Sequence, residues 1–460
     1  MFKNLKYLFI FTILINFLIT KNLYAQISII RDAETEKMLR EICFPIFKIA
    51  NQDTNSLKIY IVNDQAINAF VAGGQNIFIN TGLITKFSNP AVIAGVIAHE
   101  IAHIASGHLA KGSEMMQNNM SATLIGYLAG IGAIISGQTQ LGASIMMGSS
   151  HIGNRLALKY TRHQEESADI LAIQYLTKLH LPTAGFIEIM EYFDQQNLGI
   201  NQEIDQYELT HPISSSRIKL VKNETKNYKY HNAPFDKKLT TQFHKAQAKL
   251  NGFLGDIDSL TDRLANQNDD NSQLTKAILY YRANRTNLAM EILDGLIKKS
   301  PNDGFLYELK AEFLFNNNQI IEAIINFKKA LNNIEPKSRG LAQINMANAI
   351  IQLKNNDDFL VNFAIENLVL AQQYEKDNPL IYKTLASAYK IQGQGGKSLL
   401  ALAEYNFILD DCDKAQKNAN EALKDLQSSC NQKDCFKASI IRANDIIEIC
   451  KNAKVKESRK

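Results

Sequence analysis

The stretch His99-Glu100-Ile101-Ala102-His103 sets two imidazoles four residues apart, with a carboxylate directly after the first. On a helix that spacing is one turn, so both rings leave the same face and can reach one metal ion. Glu100 then leans toward the open coordination position, where it can take a proton from a water. Imidazole and carboxylate donors suit zinc. Val92 to Ile104 is apolar except at His99, Glu100 and His103. Unpaired ionisable groups in so apolar a helix are costly, and a metal relieves that cost.

A catalytic zinc takes three protein ligands and leaves the fourth position to water. The segment Arg162–Asp169 offers Glu165 and Asp169 at helical spacing i, i+4. One carboxylate can bind the metal while the other accepts the N–H of a ligating histidine. His108, Glu166 and His163 are rivals for the third ligand. His108 lies five residues past His103, which rotates it off the shared face. Spacing alone does not choose between Glu165 and Glu166.

These residues need elements to hold them. Pro90, following Ser88-Asn89, opens a helix that runs to Ala110. Leu57–Asn63 alternates as a strand does, and Asn76–Asn80 is a second β run, with Gly73-Gly74 before it as a hairpin signal. The run Asn76, Ile77, Phe78, Ile79 is expected to be an edge that pairs with an extended substrate. Leu124–Ile135 is apolar throughout, with Gly126 and Gly130 spaced as small-xxx-small. It is short for a membrane hairpin and is read as helices over the cleft, touching substrate or the membrane surface.

From about residue 270 the pattern is helical almost without interruption. Ala311, Leu314, Ala323, Phe327, Ala330 and Pro336 follow the tetratricopeptide (TPR) pattern of small, large and breaker residues. Ala277, Tyr280, Ala289 and Pro301 repeat it about 34 residues earlier. Tyr382, Leu385, Ala386, Tyr389 and Gly393 begin another copy, and Ala403, Ala415 and Ala422 a degenerate one. Such an array offers a concave surface to a partner.

The remaining features bound the class. A chain of 460 residues with 46% apolar side chains predicts two or three globular domains. Lys3 and Lys6 precede the apolar run Tyr7–Thr20, and Leu23-Tyr24-Ala25 ends in a small residue, the pattern of an export signal. An uncleaved N-terminal anchor is the competing reading. Residues 1–25 hold three lysines and no acid, so their removal takes the net charge from +4 to +1. That leaves no electrostatic footprint for nucleic acid. In an oxidising compartment Cys430 can pair with Cys435 and Cys412 with Cys450, leaving Cys43 free, although connectivity is not readable from spacing.

HEIAH, with Asn68-Ala69-Phe70 and Thr81-Gly82-Leu83 ahead of it and Glu165-x-x-Ala168-Asp169 behind it, resembles one gluzincin metallopeptidase family. That family includes the CAAX prenyl protease and the heat-shock membrane protease HtpX. The match extends through Thr210-His211-Pro212, Arg217 and Ala248-Lys249-Leu250 to Phe253. The resemblance implies Glu165 as third zinc ligand beside His99 and His103, with Asp169 supporting the ligand set and one Zn2+ per chain. It implies that His211 fills the open zinc position and keeps the enzyme latent; a rival role for His211 is to stabilise an oxyanion. Arg217 is expected to pair with a carboxylate near the site or to bind substrate.

The implied fold class is an α+β gluzincin-type metallopeptidase domain, mainly helical with a small sheet, followed by an all-α TPR solenoid. The expected divisions are a signal over 1–25, the peptidase over 26–230, a linker and connecting helix over 231–270, and TPR repeats over 271–460. The implied activity is that of a periplasmic zinc endopeptidase that degrades misfolded or stalled outer-membrane proteins. Its repeats would engage the outer-membrane assembly machinery. The alternative is a TPR chaperone or adaptor with minor peptidase turnover.

Overall fold

A computed structural model describes residues 29–54, 57–72, 76–108, 162–197, 207, 211–353, 357–428 and 436–457. The export signal, the apolar run Leu124–Ile135, Gly73-Gly74, Cys430 and Cys435 lie outside the described residues. Among those described, no helix is long and apolar enough to cross a membrane.

The chain begins with β1 (Ile29–Ile30), α1 (Ala33–Ile49), β2 (Lys58–Val62), β3 (Ala69–Ala72) and β4 (Asn76–Asn80). Helices α2 (Thr81–Lys86), α3 (Pro90–Ala105), α4 (Arg162–Lys178), α5 (Ala184–Asn197), α6 (Ser215–Thr225) and α7 (Lys237–Leu254) follow. The strands form one sheet in the order β1-β2-β4-β3, with β2 and β4 parallel and the other pairs antiparallel. Alternation decides the faces. Ile59, Ile61, Ile77 and Ile79 go into a core shared with α1 and α3, while Tyr60, Phe78 and Phe70 stack in a row across the other face.

This topology corrects one expectation. Asn76–Asn80 is not an edge: β2 pairs with it on one side and β3 on the other, so its backbone is spent within the sheet. Ile77, Phe78 and Ile79 are at most 2% exposed and cannot touch substrate. A period-two pattern identifies a strand but says nothing of its neighbours.

Helix α3 forms as its sequence requires. The Asn89 side chain caps it by accepting from the Ala91 amide at 3.0 Å, and Pro90 occupies the first turn, where no N–H is needed. Its apolar residues are buried all round because α1, α4, α5 and the sheet surround it. Gly95 makes the crossing with α5 possible: a Cβ there would sit 2.7 Å from that of Phe186.

Within the segment 231–270, expected to be a linker and connecting helix, α7 packs on both sides. Phe243, Ala246 and Leu250 of α7 belong to the core that underlies the sheet, whereas Ala248 packs with the helices that follow. After α8 (Ile257–Leu264), helices pair with their successors: α9 (Asp270–Arg282) with α10 (Thr286–Lys299), and α11 (Gly304–Asn316) with α12 (Ile320–Asn333). The pattern continues as α13 (Gly340–Gln352) with α14 (Asp358–Glu375), α15 (Pro379–Ile391) with α16 (Gly395–Ile408), and α17 (Cys412–Ser428) with α18 (Lys437–Glu457). A Cys412–Cys450 disulfide joins the last pair, and Cys43 is free and buried. The helical region touches the sheet-containing region again through Arg31–Glu375 at 2.8 Å and Lys58–Asp377 at 2.7 Å.

Candidate metal centre

Helix α3 presents His99 and His103 on one face, and α4 brings Glu165 and Asp169 against them. His211 arrives just before α6. His99 Nε2 lies 3.1 Å from His103 Nε2, 3.3 Å from His211 Nδ1 and 3.3 Å from Glu165 Oε2. Glu165 Oε1 is 3.4 Å from His103 Nε2 and 3.1 Å from His211 Nδ1. Each of the four residues therefore turns one donor atom toward a common point, and all four are buried.

These separations test whether a metal fits. Donors held at about 2.0–2.1 Å in a tetrahedron stand about 3.3–3.4 Å from one another. The spacings of 3.1 to 3.4 Å lie close to that edge length, with Glu165 reaching His99 through Oε2 and both His103 and His211 through Oε1. Imidazole nitrogens this close to each other without a shared cation gain little, since at most one proton bridges each contact. The donor set fits a borderline divalent ion.

The electrostatics agree. Burial disfavours a charge on His99, but Asp169 and Glu165 override it and push the pKa up to about 9. Burial, with His99 and His211 nearby, takes His103 down to about 3 despite Glu165. Burial pushes Glu165 upward, yet His211, His103 and His99 hold it well below the usual carboxylate range. Two like rings are thus driven apart because one must carry the positive charge the carboxylates demand. A metal dication meets that demand more completely.

The supporting contacts are equally specific. Asp169 Oδ1 lies 3.0 Å from His99 Nδ1, fixing the ring so that Nε2 faces the cluster. Arg217 donates to both Asp169 oxygens at 2.8 Å, and to the Pro212 carbonyl at 2.9 Å; its Nη1 also lies 2.8 Å from Glu165 Oε2. Burial pushes Asp169 upward, but Arg217 and His99 hold it below its ordinary value. Arg217 is 1% exposed and takes the first of its two expected roles, pairing with carboxylates beside the cluster, rather than the second, a substrate contact. Its donors are spent tying α4 to the loop that carries His211.

The rivals for third ligand separate clearly. Glu166 turns to the surface and pairs with Arg162 at 3.2 Å, and His163 is exposed. His108 is buried but contacts His103 from behind rather than joining the cluster. Glu100 is 2% exposed, and burial raises its pKa against the opposing pull of His211 and His99. Its Oε1 accepts no hydrogen bond from a described residue and lies 3.4 Å from His211 Nε2. Tyr207, which no motif singled out, stacks on His211 at 4.8 Å and accepts the His211 amide at its carbonyl. The i, i+4 spacing of Tyr207 and His211 was the available signal.

Comparisons with known proteins agree with this geometry. Residues 31–225 match the model of Peptidase family M48. The beta-barrel assembly-enhancing protease of Yersinia pestis is 25% identical over 363 residues, covering 77% of this chain and 72% of that protein. Its namesake from Escherichia coli K12 is 24% identical over 340 residues, covering 72% of this chain and 68% of its own. Metalloprotease LoiP of Escherichia coli K12 is 25% identical over 195 residues, 42% of this chain and 71% of LoiP. Among solved structures, the APC/C hetero-tetramer Cut9-Hcn1 covers 80% of this chain at 14% identity, and its TM-score of 0.21 carries no argument. The chain is a metalloendopeptidase whose residues 31–225 match Peptidase family M48.

Proposed function

We propose that the chain is a gluzincin-type zinc endopeptidase whose resting state is closed by His211. One observation carries the reading: His211 Nδ1 completes the donor set, while its Nε2 lies against Glu100. One imidazole thus occupies both the fourth donor position and the approach to the base. When bound, the metal polarises a scissile carbonyl and makes water a better nucleophile at neutral pH. Glu100 takes the proton of the attacking water and returns it to the leaving amine. Asp169 and Arg217 keep His99 and Glu165 in place. For turnover His211 must swing away, which frees the face of Glu100.

The proposed clients are misfolded or stalled outer-membrane proteins in the periplasm, after export by the N-terminal signal. The names of the Yersinia and Escherichia relatives and the match along most of the chain support this assignment. The paired helices from α9 to α18 act as a TPR solenoid that engages the assembly machinery. The adaptor reading makes those helices the function and turnover incidental. Replacing Glu100 by Gln and following an unfolded outer-membrane protein decides between them. The peptidase reading predicts that cleavage falls by about 10²- to 10⁴-fold with metal content unchanged. Undiminished client clearance would transfer the function to the helical array.

A further inference from the structure

We infer that His108 is a positioning residue for the metal ligand His103, accepting the proton that His103 carries on Nδ1. The inference rests on the metal site proposed above and deepens it. Helix α3 ends at Ala105, where the Ser106 amide bonds to the Ala102 carbonyl at 3.0 Å. Gly107 then takes a left-handed φ of 66°, and its amide closes on the Ile104 carbonyl at 3.0 Å. That reversal swings His108 back beneath the helix. Its Nδ1 ends 3.0 Å from His103 Nδ1, with ring centroids 5.0 Å apart and planes at 67°. A Cβ on residue 107 would meet nothing within 4 Å, so only the backbone conformation selects glycine there.

The chemistry follows from which nitrogen each ring turns inward. His103 presents Nε2 to the cluster, so as a ligand it must carry its proton on Nδ1. A proton buried at that depth needs an acceptor, and the opposing atom is His108 Nδ1. His108 is then the tautomer protonated on Nε2. His99 has the corresponding support from the Asp169 carboxylate. The two ligands of one helix are thus backed by different acceptors, an anion behind His99 and a neutral ring behind His103. A neutral acceptor fixes the ring and its tautomer without adding charge to a cluster that already holds Glu165 and Asp169.

The test uses the full chain, zinc competition with a chromophoric chelator, and the visible spectrum of the cobalt-loaded protein. His108→Leu removes the acceptor and is expected to weaken zinc binding about 10- to 100-fold and to shift the cobalt spectrum. His108→Asn puts an amide oxygen where Nδ1 stood and is expected to bind zinc within a few-fold of the native chain. His108→Gln puts its acceptor at the Nε2 position and is expected to resemble Leu. Native affinity in the Leu variant, or equal loss in Asn and Gln, would overturn the inference. If the Leu variant does not fold, the Asn–Gln contrast still decides. A native chain that binds no zinc would instead overturn the proposed site.

Discussion

Around Glu165 and Asp169 the buried carboxylates face three imidazoles and the guanidinium of Arg217; the carboxylates of half-buried Asp32 and buried Glu34 face lysines. The second cluster lies where α7 joins the peptidase region to the helical region. Lys249 pairs with Asp32, and with Glu34 at 3.3 Å, while Lys245 reaches Glu34 and Asp303 at 2.5 Å each. Glu308 and Glu312 of α11 stand in the field of Lys249. Burial opposes the charge on Lys249, but Asp32 and Glu34 raise its pKa above the ordinary lysine value. At the junction the chain supplies its own cations. At the other site the inward donors are imidazoles and a carboxylate, with Arg217 approaching from outside, so the centre itself calls for an ion from solution. The contrast marks one cluster as structural and the other as chemical.

Removing the cation from each cluster sharpens the comparison. Stripping the metal with a chelator should have the largest effect, because ligand present at about a thousand times its Kd stabilises a fold by about 4 kcal/mol. Thermal unfolding followed with and without chelator should show a marked fall in Tm that added zinc restores. An unchanged Tm after complete removal would erase the distinction. Lys249→Met should come next, costing about 3 kcal/mol, the lower end for a broken buried pair because Lys245 still faces Glu34. Denaturant titration of the full chain measures it, with metal content unchanged; a loss of metal would show that the two clusters are coupled.

The smallest effect concerns Glu312, where burial and Asp32 outweigh Lys249 and the pKa is pushed up to about 7. A folded-state pKa above the unfolded value of about 4.3 gives stability that is complete below that pH. It is lost as pH rises through about 7. Glu312→Gln removes the loss, so its Tm should exceed that of the native chain by more at pH 8 than at pH 5. An equal gain at both would show that Glu312 carries its charge at no cost.

The sequence spoke clearly where chemistry and periodicity coincide. His99, Glu100 and His103 on an apolar helix needed only helical spacing, and the repeated small residues of the second half correctly announced paired helices. Glu165 over Glu166 required the resemblance, because adjacent residues differ by a rotation that spacing does not fix; the structure sends one into the cluster and the other to Arg162. Other features were illegible for physical reasons. Strand order depends on contacts distant in sequence, so Asn76–Asn80 read as an edge although β3 covers it. The burial of Arg217 follows from α6 packing on α4, and the return of His108 hangs on one left-handed glycine. Helix α7 falls in the expected linker and connecting helix, and that its two apolar faces serve two cores at once depends on contacts distant in sequence.

The central claim is that the chemical cluster is a metal site held shut by His211. His211→Ala removes the fourth donor and uncovers Glu100, leaving His99, His103 and Glu165 to hold the metal. The direct measurement is the rate of cleavage of an unfolded outer-membrane protein by this variant, with metal content determined on the same sample. The account predicts a faster rate than the native chain at equal metal content. A rate lower by about 10²- to 10³-fold with full metal would contradict it, assigning His211 to the oxyanion instead.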